Sequence, residues 1–358
     1  MLRRNLAFVL VALTATGLLV AAEADPSKGL AKGDVTLSSA GPLTFGPNGI
    51  LFAADPLAAT LYALDTADTK PADSREHPKV EAINEKIAKL LGIAAKEVRF
   101  GDLAVNPISG NAYLSVARGT GAKAAAVILK VDRKGNLSEL SLQNIPHAKV
   151  QLPNANDKSR SEAITHIAFL NNRLYVAGLS NEEFASNLRS IPYPFEKTDR
   201  GASIEIFHGA HGKFETRSPI RVFAPYKIGE EDTILAAYTC TPLVRLPVKA
   251  LEPGKKIKAV TVAELGNRNR PLSMIVYRKA DKDYVLLANS ARGLMKINLD
   301  GIDSIPGITE RVKDKAGLKY ETIAGKEGVQ KLDAFDKEYA LILVRNGDKF
   351  NLETMELP

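Results

Sequence analysis

The chain has 358 residues, 45% of them hydrophobic and 25% charged, with a formal net charge of +7 at pH 7. That length can bury a large core, and the single cysteine, Cys240, excludes an intrachain disulfide framework. The positive charge comes from scattered lysines rather than a Lys/Arg stripe interleaved with aromatics, which argues against nucleic acid as a partner and leaves a weak preference for acidic ligands or surfaces.

Residues 1–24 read as a signal peptide. Arg3 and Arg4 are followed by an apolar stretch over residues 6–20, and Ala22-Glu23-Ala24 offers small residues where a signal peptidase cuts. The stretch is too short, and the following residues too polar, for stable membrane insertion; the alternative is an uncleaved anchor. Export to the periplasm or the extracellular space is therefore expected, with residues 25–358 forming one domain. Residues 34–37 alternate polar and apolar, and are expected to pair as an outer strand beside the last strands of the chain.

From residue 43 onward one pattern recurs: an apolar run, a turn, and a second apolar run. Its copies are 43–45 with 50–54, 103–105 with 112–116, 164–169 with 174–178, 272–277 with 284–289, and 329–335 with 339–344. A weaker copy, 221–225 with 233–238, falls between the third and the fourth of these. Their turns carry the expected chemistry, as in Pro47-Asn48-Gly49, Asn171-Asn172 and Lys282-Asp283. A spacing of roughly 50–60 residues is that of small sheets that must stack to bury their apolar faces. The fold expected is all-β: a single β-propeller of six blades, or of seven if residues 67–100 conceal irregular strands.

Two segments break the rhythm. Within residues 67–97, apolar side chains at 80, 83, 87, 90 and 91 form a helical stripe ended by Gly92, so a short helical insertion is expected over one face of the ring. Residues 181–200, stiffened around Ile191-Pro192-Tyr193-Pro194-Phe195, read as a loop insertion that packs on the ring or rims a pocket.

The second runs of the repeats end on polar, charged or soft residues: Asp55, Arg118, Asn181, Cys240, Asn289 with Arg292, and Arg345 with Asn346. Converging on the ring axis, such ends would make a polar mouth that binds a ligand; the alternative is a solvated rim. His208 and His211 could meet at one metal if their turn folds back, but the spacing supplies no third ligand. Cys240 could be a soft ligand or a reactive thiol, with His166 as a base, or a buried cysteine. In the connector 262–271, Glu264, Asn267 and Asn269 offer oxygens to a divalent cation such as calcium, while Arg268 and Arg270 suit carboxylate or phosphate. These two uses compete, and an interblade hydrogen-bond clamp is the third reading. No phosphate-cradling loop, haem attachment pair, metalloprotease motif or hydrolase nucleophile elbow is present in the sequence.

The runs Ile50-Leu51-Phe52-Ala53-Ala54-Asp55 and Leu174-Tyr175-Val176-Ala177, each placed after a turn, resemble those of secreted β-propellers spanning NHL-like, lactonase-like and YVTN-type repeats. The resemblance implies either a noncatalytic platform for proteins or small ligands, or a central metal that hydrolyses lactones or esters. Lactonase-like members hold the ion with a glutamate, asparagines and an aspartate. Asp55, Asn289 and Asn181 stand at comparable blade ends, but Gly41-Pro42-Leu43 has no acidic residue before it, and Glu264 would have to substitute. The function expected is that of an exported binding or interaction protein with a polar central mouth, its partner a small molecule or another exported protein. Metal-dependent lactonase or esterase-like hydrolysis is the alternative.

Overall fold

The computed structural model describes residues 27–72, 75–119, 124–240 and 242–358; the expected signal peptide lies outside them. The described residues form six sheets arranged as the blades of a propeller, antiparallel apart from the short parallel pairing of Lys256–Lys258 with Ala202–His208. Each copy of the repeat supplies the first and second strands of one blade. The weak copy does so too, as Val222–Ile228 paired with Glu231–Ala237. Second strands are buried on both faces, which is why they read as continuous apolar runs; all six residues of Ile50–Asp55 are buried.

The order of the blades around the ring is not the order of the chain. Six apolar clusters fill the six junctions, and they place blade 1 between blades 2 and 3. Leu43, Leu51, Tyr113 and Ile128 join blades 1 and 2, while Phe52, Leu61, Leu174 and Val176 join blades 1 and 3. After blade 2 the chain therefore doubles back. It runs along blade 1 as the strand Ile145–Gln151, with Val150 opposite Leu61, before entering blade 3. Ala31–Gly33 adds to that returning strand at the outer edge, with Ala31 opposite His147.

The ring closes between blades 2 and 6, and the expected closing strand is not the one used. Residues 34–37 do not pair beside the C-terminal strands; Val35 and Leu37 are buried against blades 1 and 2 instead. The fourth strand of blade 6 is Lys79–Val80, from the insertion at 67–97, paired with Lys349–Glu356. The expected helix follows as Ile83–Leu91 and ends on Gly92 in the left-handed conformation (φ 67°). Ile83 and Ile87 wedge into the junction beside Leu103, Leu114, Leu341 and Leu343.

The segment 181–200 also differs from its reading as a loop. Ser186–Pro192 is the third strand of blade 3, with Arg189 opposite Val176. Tyr193 then covers the junction with blade 1, edge-on to Phe52 at 4.9 Å between ring centres. Residues 201–270 complete blade 3 through Ala202–His208 and Lys213–Glu215, and supply all of blade 4 out to Val260–Leu265, apart from an added edge strand, Lys315–Gly317. No helix among the described residues is long and apolar enough to cross a membrane.

Candidate functional site

A cavity of about 1310 Å³ opens on the ring axis at the end where the first strands begin. All six blades contribute to its wall. Three first strands carry a bulge there: pairing skips Gly101, Leu272 and Gln330, and all three of these residues line the cavity. Gly101 is required by close approach, because a Cβ at this position would lie 2.4 Å from the Ala40 carbonyl oxygen.

The residue after each bulge faces a neighbouring blade. Asp102 Oδ2 accepts the Leu43 N–H at 3.0 Å, and the Ser273 hydroxyl donates to Leu332 O at 2.9 Å. Asp333 Oδ2 accepts from Val105 N at 2.8 Å, and the Thr165 hydroxyl donates to Ile220 O at 2.6 Å. These bonds tie first strands together around the axis and set the shape of the cavity.

The wall is rich in charge, and part of that charge is neutralised in place. Lys331 Nζ lies 3.2 Å from Asp102, Arg221 lies 2.5 Å from Glu162, and Lys349 lies 3.3 Å from Glu85. Lys96, Arg99, Arg270 and Arg345 also line the cavity and have no carboxylate within ion-pair distance among the described residues. Arg99 and Arg345 instead donate to main-chain carbonyls, those of Val98 and Gly347. The Arg270 guanidinium is shifted down from the ordinary arginine value by burial and then by repulsion from Arg221, against the attraction of Glu162. His166, at the start of the first strand of blade 3, faces the same space. Burial pushes its pKa down to about 4, with Asp102 opposing and Lys331 reinforcing that shift, so it is neutral near pH 7.

Of the residues singled out in the sequence, Arg270 and Arg345 line this cavity, and His166 joins them. Asp55 is buried and accepts from Ser38 N and the Ser39 hydroxyl of the lead-in segment and from Ala58 N of its own turn. Arg118 ends its strand exposed. Asn289 donates to Asn269 Oδ1 at 2.9 Å, and the Cys240 N–H donates to Asn269 O at 2.9 Å, so this part of the connector clamps blades 4 and 5 together. Cys240 is half-buried within that clamp. Asn267 donates to Lys313 O, and Arg268 is exposed in a left-handed turn (φ 55°). Arg292 donates to Asn267 O and lines a separate cavity of about 670 Å³ with Lys315 and Glu327. Asn181 donates to Ala155 O and Asp157.

Glu264 reaches away from its connector to blade 3, where its Oε1 accepts the Gly209 N–H. Burial pushes its carboxyl up to about 7, partly offset by the N–H groups of Gly209 and Ala210 and by His211. His208 and His211 do come together, and the residue the sequence reading missed is Glu215, on which both rings converge. The hairpin register holds the missed signal. His208 pairs with Lys213, so Glu215, two residues on, points to the same face as His208.

No protein-family model matches the chain, and no curated protein matches it. Solved structures similar to it include a glucose dehydrogenase, at 12% identity and a TM-score of 0.36, over 92% of this chain and 99% of that one. The full extracellular region of plexin A4 is similar at 10% identity and a TM-score of 0.44, over 93% of this chain and 40% of that one. A β-xylosidase, RS223, is similar at 11% identity and a TM-score of 0.36, over 80% of this chain and 96% of that one.

Proposed function

We propose that the ring is a binding protein that takes a small anionic molecule, of the carboxylate or phosphate class, into its central cavity. One observation carries this reading. Lys96, Arg99, Arg270 and Arg345 face a space in which Asp348 is the only carboxylate without an ion-pair partner among the described residues. Guanidinium groups matched to an oxyanion bind it in a fork, and several exposed cations gathered around one open space raise the local concentration of an anion in a salt-dependent way. Binding is favoured over hydrolysis because Asp102 and Glu162 are each engaged by a cation, and His166, with a pKa of about 4, is a weak base near neutral pH. Export through residues 1–24 fits this role, and N-terminal sequencing of the secreted protein at Asp25 tests it.

Thermal-shift and calorimetric titration of residues 25–358 with a panel of small carboxylates and phosphate esters tests the binding. At least one anion is expected to bind with salt-sensitive affinity, weakened roughly tenfold by Arg270→Ala and again by Arg345→Ala. Binding that ignores both substitutions, or a preference for cations, overturns the reading.

A further inference from the structure

We propose that His208, His211 and Glu215 form a site for a divalent transition metal of the zinc class, on the outer rim between blades 3 and 4. The three lie on one hairpin, in the pattern His-x2-His-x3-Glu, and their ligand atoms all lie within 4.8 Å of one another. Both imidazoles aim Nδ1 at the same carboxylate: His208 at 3.1 Å from Oε2, and His211 at 2.6 Å from Oε1. Their rings stand 3.9 Å apart with a tilt of 38°. Zinc holds nitrogen and oxygen donors at about 2.0–2.2 Å, so small rotations of these three side chains would make room for the ion among them.

The surroundings carry the argument beyond a hydrogen-bonded trio. The Ser218 hydroxyl donates to Glu215 Oε2 at 3.1 Å, which orients the carboxylate from behind. The His208 side chain is 3% exposed, and its Nε2 is buried with no partner. Hydrogen-bonded to Glu215 through Nδ1–H, a neutral His208 would leave Nε2 as a buried acceptor facing no donor. Coordination through Nδ1 moves the proton to Nε2 and makes that atom a donor. Glu264, whose Oε1 holds the N–H of the adjacent Gly209, has its Oε2 buried with no donor. Two imidazoles and one carboxylate select zinc, nickel or copper over calcium. His211, 48% exposed, leaves the ion a path from solvent and an open fourth position. Lys213 faces the same side of the hairpin and weakens the site electrostatically, so moderate affinity is expected.

Calorimetric titration of chelator-treated protein with Zn²⁺ tests the site, with Co²⁺ absorption as an independent readout. Wild type is expected to bind one equivalent. His211→Ala, at an exposed position, and Glu215→Gln should each weaken binding by roughly a hundredfold, and Ser218→Ala by about tenfold. Arg270→Ala in the central cavity should leave zinc binding unchanged, which separates this site from the anion site. Substoichiometric binding by wild type, or zinc and cobalt signals that survive in folded His211→Ala, overturns the proposal.

Discussion

Val80 pairs with Leu352 at the outer edge of blade 6, so a two-residue strand from the early part of the chain closes a ring completed by its end. The Asn84 side chain locks this closure. Its Nδ2 donates to Asp348 O at 3.0 Å, and its Oδ1 accepts the Phe350 N–H at 2.9 Å. Asn351 returns the contact by accepting the Ala82 N–H at 2.9 Å. The insertion at 67–97 is thus a structural seam, with its helix covering the junction it closes.

Asn84→Ala should remove both bonds and strand two main-chain groups, costing about 2–4 kcal/mol in urea unfolding. Glu85→Ala, one residue away but exposed and paired only with Lys349, should change stability by under about 1 kcal/mol. Equal effects from the two substitutions would show that the seam does not depend on Asn84.

The closing strand and the N-terminal strand can be told apart by deletion. Val80 is 1% exposed within the junction core, so Val80→Pro should cost about 3 kcal/mol or more. Removing residues 25–33 takes away the outermost strand of blade 1 and the Leu30 side chain packed at its junction with blade 3, and should cost about 1–2 kcal/mol. The reverse ranking, measured by thermal or urea unfolding, would restore the N-terminal segment as the closure.

This contrast marks how far the sequence could be read. The first and second strands were legible because burial on both faces leaves unbroken runs such as Ile50–Asp55. The exchange of blades 1 and 2 was not, because an edge pairing such as Val150 with Leu61 writes no periodicity into either segment. A two-residue strand such as Lys79–Val80 is too short to carry any pattern. The cavity was legible only in part for a geometric reason. Asp55, at a second-strand end, is taken up by the lead-in at Ser38 and Ser39 and by its own turn, whereas the wall, Arg345 apart, draws mainly on first-strand starts and bulge neighbours, including Arg99, His166 and Lys331. A bulge reverses the alternation on which a sequence reading of face depends.

Asp68 anchors the linker after blade 1 to blade 2, and its removal should be severe. Its carboxylate accepts from the Ser109 hydroxyl at 2.8 Å, Asn111 Nδ2 at 2.9 Å and the Tyr113 hydroxyl at 2.9 Å, with Lys130 at 3.3 Å. Burial opposes ionisation, but these partners together hold the carboxyl below the usual aspartate range. A depressed folded value stabilises the protein above the unfolded value and loses that contribution as pH falls through the folded one. Asp68→Ala should therefore cost about 3–5 kcal/mol at pH 7, with the gap to wild type narrowing below about pH 4. A gap that is constant with pH would mean that the ionised form is not what the network stabilises.

His166 gives a second pH signature, in a different window. Its folded pKa lies at about 4, below the ordinary 6.5, so between these values the unfolded chain binds more protons. Stability attached to His166 is thus full above 6.5 and is lost as pH falls toward 4, by up to about 3 kcal/mol. His166→Gln should flatten that part of the stability profile, measured by urea unfolding at several pH values. An unchanged slope would assign the loss to other groups.

Glu162 sets the balance of charge at the mouth, through Arg221 at 2.5 Å. Arg221 also repels Arg270, and Glu162 partly offsets the resulting shift. Glu162→Gln leaves the side chain's size unchanged, frees Arg221 and removes a negative charge from the cavity wall. Anion affinity should rise by about three- to tenfold with a steeper dependence on salt, because one more unscreened cation faces the ligand. Stability should fall at the same time, since Arg221 and Arg270 then repel each other without compensation. A drop in anion affinity would instead show that Glu162 contacts the ligand itself, as a hydroxyl-bearing molecule would require.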